Sequence, residues 1–250
     1  DEEMLERILS FVVARKVSLE EGVLPNKPFE PRHGYRDAQR RALAAADIVF
    51  VASAAEAQRV RVLCGERAFA AYVPSPQDLA APDAAAEPYV LAVAPLGPLH
   101  ASAALARAAA RVGFPVRFAG SVLDGGYAAR ALSYLDDRSA LTPGDPGRGA
   151  RVVVDVSWSG VDLCSLAAYA AHGVPVVASD RSDVRHVLGA RGIWTVDPAD
   201  ETALAGALAD AWNGSAAHAS ALAEHTRARC RIDVLRACLA KAYVVPEPAA

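Results

Sequence analysis

The chain has 250 residues, of which 53% are hydrophobic and 22% charged, with a formal net charge of −3 and a mean hydropathy of +0.16. Such a length gives one large domain or two small ones with room for a sizeable core, and the apolar content excludes a disordered chain. A pI near 6.1 leaves no basic footprint, which argues against nucleic acid as a partner.

The chain begins Asp1-Glu2-Glu3, with neither an initiator Met nor the basic start and apolar middle of a signal peptide, and is expected to be a fragment of a longer protein. Leu5, Ile8, Leu9, Val12 and Val13 recur at a helical period, Pro25, Pro28 and Pro31 break the chain, and a second helix runs from Asp37 to Ala46. The apolar run Ile48-Val49-Phe50-Val51 predicts a buried strand, with Ser53 as N-cap of the helix after it. Gly65 ends that helix and Phe69 to Val73 make another short strand. The Pro-, Ala- and Asp-rich stretch from Pro74 to Pro88 is expected to be a linker.

Beyond it the rhythm is regular. Strands are predicted at Tyr89–Ala94, Pro115–Ala119, Arg151–Val156, Val174–Ala178 and Gly192–Val196. Helices are predicted at Ala101–Val112, Gly126–Leu135, Leu163–His172, Asp183–Leu188 and Asp200–Trp212, and one last helix from Ala217 to Ala242. This alternation gives an α/β fold with a Rossmann-like parallel sheet, and strands apolar on both faces require helices on both sides. No apolar run approaches the ~18–20 residues of a membrane span. Cys64, Cys164, Cys230 and Cys238 have no metal-ligand spacing and are too few for a disulfide scaffold, so reduced thiols in a cytoplasmic protein are expected.

In an open α/β sheet, ligands bind outside the carboxyl ends of the strands. The residues at those ends are Gly97-Pro98 with His100, Gly120-Ser121, Ser157-Trp158-Ser159-Gly160, Ser179-Asp180 and Asp197. Gly and Ser here let backbone N–H groups approach a phosphate, or serve simply as turn and cap residues. A bulky side chain at Gly120 is expected to block such a ligand without unfolding the protein. G-x-G-x-x-G, P-loop, G-x-S-x-G and H-E-x-x-H motifs are absent, and His218 and His225, seven apart, lack a partner ligand, so neither cofactor nor metal is implied.

Gly173-Val174-Pro175-Val176-Val177-Ala178-Ser179-Asp180, followed by Val196-Asp197-Pro198-Ala199-Asp200 and an Ala/Leu helix, resembles the donor-binding domain of the retaining group 1 (family 4) glycosyltransferases, which have the GT-B fold. Ala46-Asp47-Ile48-Val49 with Ser53, Val73-Pro74-Ser75-Pro76-Gln77-Asp78, Tyr89 to Leu96 and Val116 to Gly120 match family segments in the same order, over about residues 40–212. The resemblance implies a truncated or reduced amino-terminal domain with its linker over 1–86, a Rossmann-like donor domain over 87–215 and a terminal helix, 216–250, packing back on the amino-terminal part. It implies a nucleotide-sugar donor and a sugar or glycan acceptor. His100, Gly120, Ser121, Ser157, Gly160, Ser179 and Asp180 are then the donor-binding candidates.

The chain departs from the family at the chemical positions. Counting back from Gly173, the family's paired Glu residues fall at Gly160 and Ala168, so no catalytic residue is assigned. The Arg and Lys that neutralise the donor diphosphate fall at Pro95 and His100, and a later Glu at His186. Two readings follow: a glycosyltransferase that is weak or inactive as this isolated chain, or a non-catalytic module acting as partner subunit, scaffold or recognition domain. Asp155 and Asp162 are alternative carboxylates, Asp162 also being a natural N-cap. Arg181 and Arg185 are either a relocated phosphate clamp or a solvated helix face. Trp158 and Tyr169 are expected in the core or pocket wall.

Overall fold

Six short apolar strands, all but one followed by an Ala- and Leu-rich helix, assemble into one parallel sheet. The computed structural model describes residues 41–51, 54–70, 83, 86–144, 147–158 and 161–242. The expectations for residues 1–40, Ser53, the motif from Pro74 to Asp78, Ser159 and Gly160 lie outside the described residues.

A small parallel pair comes first, β1 (Val49–Val51) beside β2 (Ala68–Ala70), connected through α1 (Ala54–Cys64). The main sheet follows: β3 (Tyr89–Ala92), α2 (Ser102–Val112), β4 (Val116–Phe118), α3 (Gly125–Leu132), β5 (Ala140–Leu141), β6 (Ala150–Asp155), α4 (Leu163–Ala170), β7 (Val176–Ser179), α5 (Val184–Leu188), β8 (Ile193–Val196) and α6 (Glu201–Trp212). Its order is β5-β4-β3-β6-β7-β8, every pair parallel. That is the doubly wound order in which the chain runs outward to one edge, returns to the centre and runs outward to the other. The expected fold class is therefore observed.

Alternate strand residues divide the core in two. Val90, Ala92, Val152 and Val154 face α2, α3 and α6, while Tyr89, Leu91, Val153 and Val176 face α4 and α5. Alanine lines the helix surfaces that meet the sheet; Ala106, Ala108, Ala109 and Ala170 are fully buried. Small side chains let the helices lie close, and Ala adds no propensity cost. Arg107 Nε donates to Glu201 Oε1 at 2.8 Å and ties α2 to α6.

Two expectations are corrected. Strand β5, two residues long, is too short to show a periodicity and was absent from the reading of the sequence. The single terminal helix is two helices, α7 (Ala216–Arg229) and α8 (Ile232–Ala242). The break falls at Cys230, whose φ of −92° and ψ of 41° leave helical geometry while its N–H still donates to the Thr226 carbonyl at 2.8 Å. Cys230 is 4% exposed in the α4/α5/α7 core, and Arg231 pairs with Asp233 at 2.8 Å as the chain restarts. No Gly or Pro announces this turn; burial of Cys230 accompanies it. Helix α8 lies beside β2, and Arg59 of α1 grips Asp183 ahead of α5 with both carboxylate oxygens, at 2.9 and 3.3 Å.

Candidate functional site

With β4 and β5 on one side of β3 and β6 to β8 on the other, the connections from β3 and β6 diverge, and the loops at their carboxyl ends flank an open crevice. The backbone pins these two loops together: Trp158 N–H donates to the Leu99 carbonyl at 2.9 Å. Side chains add a second link. His100 Nδ1 lies 2.8 Å from Ser157 Oγ, and Ser157 Oγ donates to Asp155 Oδ1 at 2.5 Å.

Counting protons assigns the tautomer. The single hydroxyl proton of Ser157 is committed to Asp155, so His100 must donate through Nδ1–H, which leaves Nε2 as the outward nitrogen. Burial pushes the His100 pKa below the ordinary histidine value, opposed by the Asp155 charge. A neutral imidazole whose Nε2 is an acceptor offers nothing to a phosphate at neutral pH. Ser157 is 1% exposed and bonded on both sides, so it links the loops and is not a nucleophile.

Asp155 is the centre of this arrangement. It is 2% exposed and accepts from Ser157 N, Ser157 Oγ and, at 2.8 Å, Asp162 N. These donors commit it to tying Ser157 to the α4 N-cap Asp162, in place of a substitute catalytic role. Asp162 is the N-cap of α4. It accepts from Cys164 N at 3.0 Å, Ser165 N at 3.2 Å and Ser165 Oγ at 2.6 Å. Asp124 caps α3 and Asp200 caps α6 in the same way. Helix α2 begins at Ala101, a non-glycine residue at φ 49° with no side-chain cap, and its Ala103 N–H donates to the Tyr127 hydroxyl at 3.1 Å. The N-termini of α2, α3, α4 and α6 at this end of the sheet thus carry their own acceptors, three of them anionic. A bound phosphate would ordinarily occupy such a position.

The other sequence candidates separate. A Cβ on Gly120 would stand 2.1 Å from the Ala94 carbonyl oxygen and 2.7 Å from Pro95 N. The glycine is required by packing of the β4 loop on the β3 loop, so the expectation that a bulky residue there leaves the fold intact is overturned. Ser121 is exposed and its carbonyl accepts from Leu96 N–H at 2.8 Å. Ser179 is fully buried and its Oγ accepts from Arg181 N at 3.2 Å, a local turn contact. Asp180 is exposed, with its N–H on the Val196 carbonyl at 2.9 Å. Ala168 is fully buried in α4, leaving no crevice-facing carboxylate position there.

The two arginines after β7 also part ways. Arg185 sends Nη2 to the Ile193 carbonyl at 3.2 Å. Arg181, by contrast, is held over the Trp158 ring, 5.8 Å from its centroid, with Nη2 3.7 Å from Asp197 Oδ1. Its side chain is 22% exposed, and its buried Nε has no hydrogen-bond partner. Neither sequence reading foresaw this stacking. Tyr169 is buried and packs against Gly147, as expected of a core residue. Two clefts, of about 540 and 510 Å³, run along α7 beside Gly189 and Gly173, at the opposite, amino ends of β8 and β7. Topology and polar convergence mark the crevice.

No family model matches the sequence, and no curated protein matches it. Solved structures do. Sucrose-phosphate synthase from Thermosynechococcus elongatus is 20% identical with a TM-score of 0.71, over 88% of this chain and 63% of that one. HepE of Anabaena, in complex with UDP and glucose, is 16% identical with a TM-score of 0.67, over 82% and 65%. A UDP-forming α,α-trehalose-phosphate synthase from Burkholderia vietnamiensis is 15% identical with a TM-score of 0.61, over 87% and 65%. The chain spans 63 to 65% of the length of these proteins. The likeness shows the GT-B fold, as the sequence motifs implied.

Proposed function

We propose that residues 87–215 form a nucleotide-sugar-binding domain of the group 1 glycosyltransferase type, whose donor lies in the crevice between the β3 and β6 loops, and that this chain by itself transfers sugar weakly or not at all. The support for binding is the doubly wound order with the His100–Ser157–Asp155 link at its switch point, together with structural neighbours of which one holds UDP and glucose. The acceptor would be a sugar or glycan. On this reading residues 1–86 belong to a first domain that is truncated or reduced, with its linker, and α8 is a strap returning to it.

The single observation that carries weak turnover is the replacement of the reaction's charged groups by neutral or committed ones. Ala168 is buried where the resemblance places a Glu, and His100, held neutral by burial, stands where it places a Lys. Losing one preorganised charge-stabilising group costs about 10²–10³ in rate. Closure of the α4 N-terminus by Asp162 specifically favours the second reading, a non-catalytic module that serves as partner subunit or recognition domain. Buried, reduced Cys64 and Cys230 accord with a cytoplasmic location, and among the described residues no helix is long and apolar enough to cross a membrane.

The test is to incubate the purified chain with a panel of nucleotide sugars, with and without sugar acceptors, and to measure released nucleoside diphosphate. Binding without acceptor-dependent release is expected. Release at ordinary enzyme rates, about 1–10³ s⁻¹, would refute the proposal of weak turnover.

A further inference from the structure

We infer that the anion-binding contact of this crevice is Arg181, which takes a phosphate or diphosphate oxyanion across the Trp158 face, in place of the helix N-termini and of the basic residues that follow the first strand in the resembling family. The inference rests on the crevice being a nucleotide site, as proposed above.

Three observations converge on it. First, the ordinary anion positions are taken: Asp162 caps α4, and the Tyr127 hydroxyl meets Ala103 N–H on α2. Second, the residues beside the first loop carry no fixed charge, Pro95 having none to give and His100 being kept neutral by burial. Third, among the described residues Arg181 is the cation that lies against the crevice wall. Arg181 stands on the β7 loop, and its guanidinium lies over the ring of Trp158, a residue whose backbone N–H donates to the Leu99 carbonyl of the β3 loop. A cation–π contact with an indole holds the guanidinium near the ring without using its N–H donors.

Those donors are under-used. The contact with Asp197 is 3.7 Å, too long for a hydrogen bond, and Asp197 Oδ1 already accepts from Ala199 N–H at 2.9 Å. Nε is buried without a partner, an arrangement that costs free energy until an acceptor arrives. An oxyanion at the exposed edge of the side chain engages the Nη donors and draws the guanidinium away from Asp197. The exposed Asp180 and half-buried Asp197 border this position, so they oppose a ligand of high charge and favour one whose oxyanion is clasped closely.

The experiment measures binding of inorganic pyrophosphate and of UDP by calorimetry to the full chain and to Arg181→Gln, Arg181→Lys and Arg185→Gln. Arg185→Gln removes the same charge from a side chain committed to the Ile193 carbonyl, and thermal denaturation of each variant reports on folding. Expected are a loss of about 10- to 100-fold for Arg181→Gln with both probes, partial retention in Arg181→Lys, and a change within about threefold for Arg185→Gln. UDP binding by the wild type that Arg181→Gln leaves unchanged would overturn the inference and spare the proposed nucleotide site. Arg181-dependent binding of pyrophosphate without any binding of UDP would keep the anion contact and overturn the nucleotide reading. Absence of binding by both probes, or equal losses in Arg181→Gln and Arg185→Gln, would overturn the inference.

Discussion

Replacing Asp162 by Ala should both weaken the protein and open an anion site where none was. Three hydrogen bonds end on this carboxylate: two from backbone N–H groups in the first turn of α4 and one from the Ser165 hydroxyl. Removal of an N-cap acceptor costs about 0.5–2 kcal/mol, and at about 2–4 °C per kcal/mol for a chain of this size the midpoint should fall by about 1–8 °C. Asp162→Asn keeps the acceptor and loses only the charge at the positive end of the helix, about 0.3–1 kcal/mol. The vacated terminus should then accept phosphate. With a Kd of about 10 mM, 100 mM phosphate returns about 1.4 kcal/mol to Asp162→Ala. Phosphate stabilises most proteins by exclusion, so the quantity to read is the extra rise in Asp162→Ala over wild type, by scanning calorimetry with and without phosphate at matched ionic strength. Unchanged stability of the Ala variant would show that the carboxylate does not cap the helix. An equal phosphate response in wild type and variant would show that Asp162 does not occupy an anion position.

Further substitutions test the surrounding frame. Gly120→Ala sets a methyl group against the Ala94 carbonyl and should cost about 3 kcal/mol or more, seen as a collapse of the thermal midpoint or of soluble yield. Asp155→Ala strands Ser157 N, Ser157 Oγ and Asp162 N and should cost about 3 kcal/mol, with Asp155→Asn, which keeps an acceptor, costing less in urea unfolding. His100 has its folded pKa below its unfolded value of about 6.5, so the unfolded chain takes up the proton first and stability falls as pH drops below about 6.5. His100→Gln should flatten the slope of stability between pH 7 and pH 5. Burial raises the Cys230 thiol to about 11, so it should react with a disulfide reagent at pH 8 only as fast as the protein opens, and at once in denaturant.

The sheet was legible in the sequence because its strands are short apolar runs separated by helices of regular length, and only the helix-covered parallel arrangement buries both faces of each. The ends of elements and the roles of polar residues were less so. Asp162 could be placed as a cap from its position before Leu163, a local rule, whereas the gathering of three donors on Asp155 depends on an N–H that reaches it from seven residues away. The meeting of His100 with Ser157 spans 57 positions, and only the doubly wound order brings them together. Gly120 was recognised as special for the wrong reason: the sequence marks a place where a side chain is missing but not which backbone fills the space. Arg181 and Arg185 lie four positions apart on what looked like one face, yet a turn before α5 sends one to Trp158 and the other to β8.

The contact of Arg185 with Ile193 bears on how these molecules behave when crowded. Strand β8 is an outer strand of the sheet, and its Gly192 and Val196 carbonyls accept from the β7 segment, so the alternation along the strand turns the Ile193 carbonyl outward. There the Arg185 guanidinium covers it, placing a positive charge on the strip of backbone that a neighbouring strand would need. At the other margin β5 offers only two residues, too little ladder for a stranger to hold. Both open sides of the sheet are thereby poor templates, and a chain rich in Val and Ala strands is guarded against growing edge to edge into aggregates.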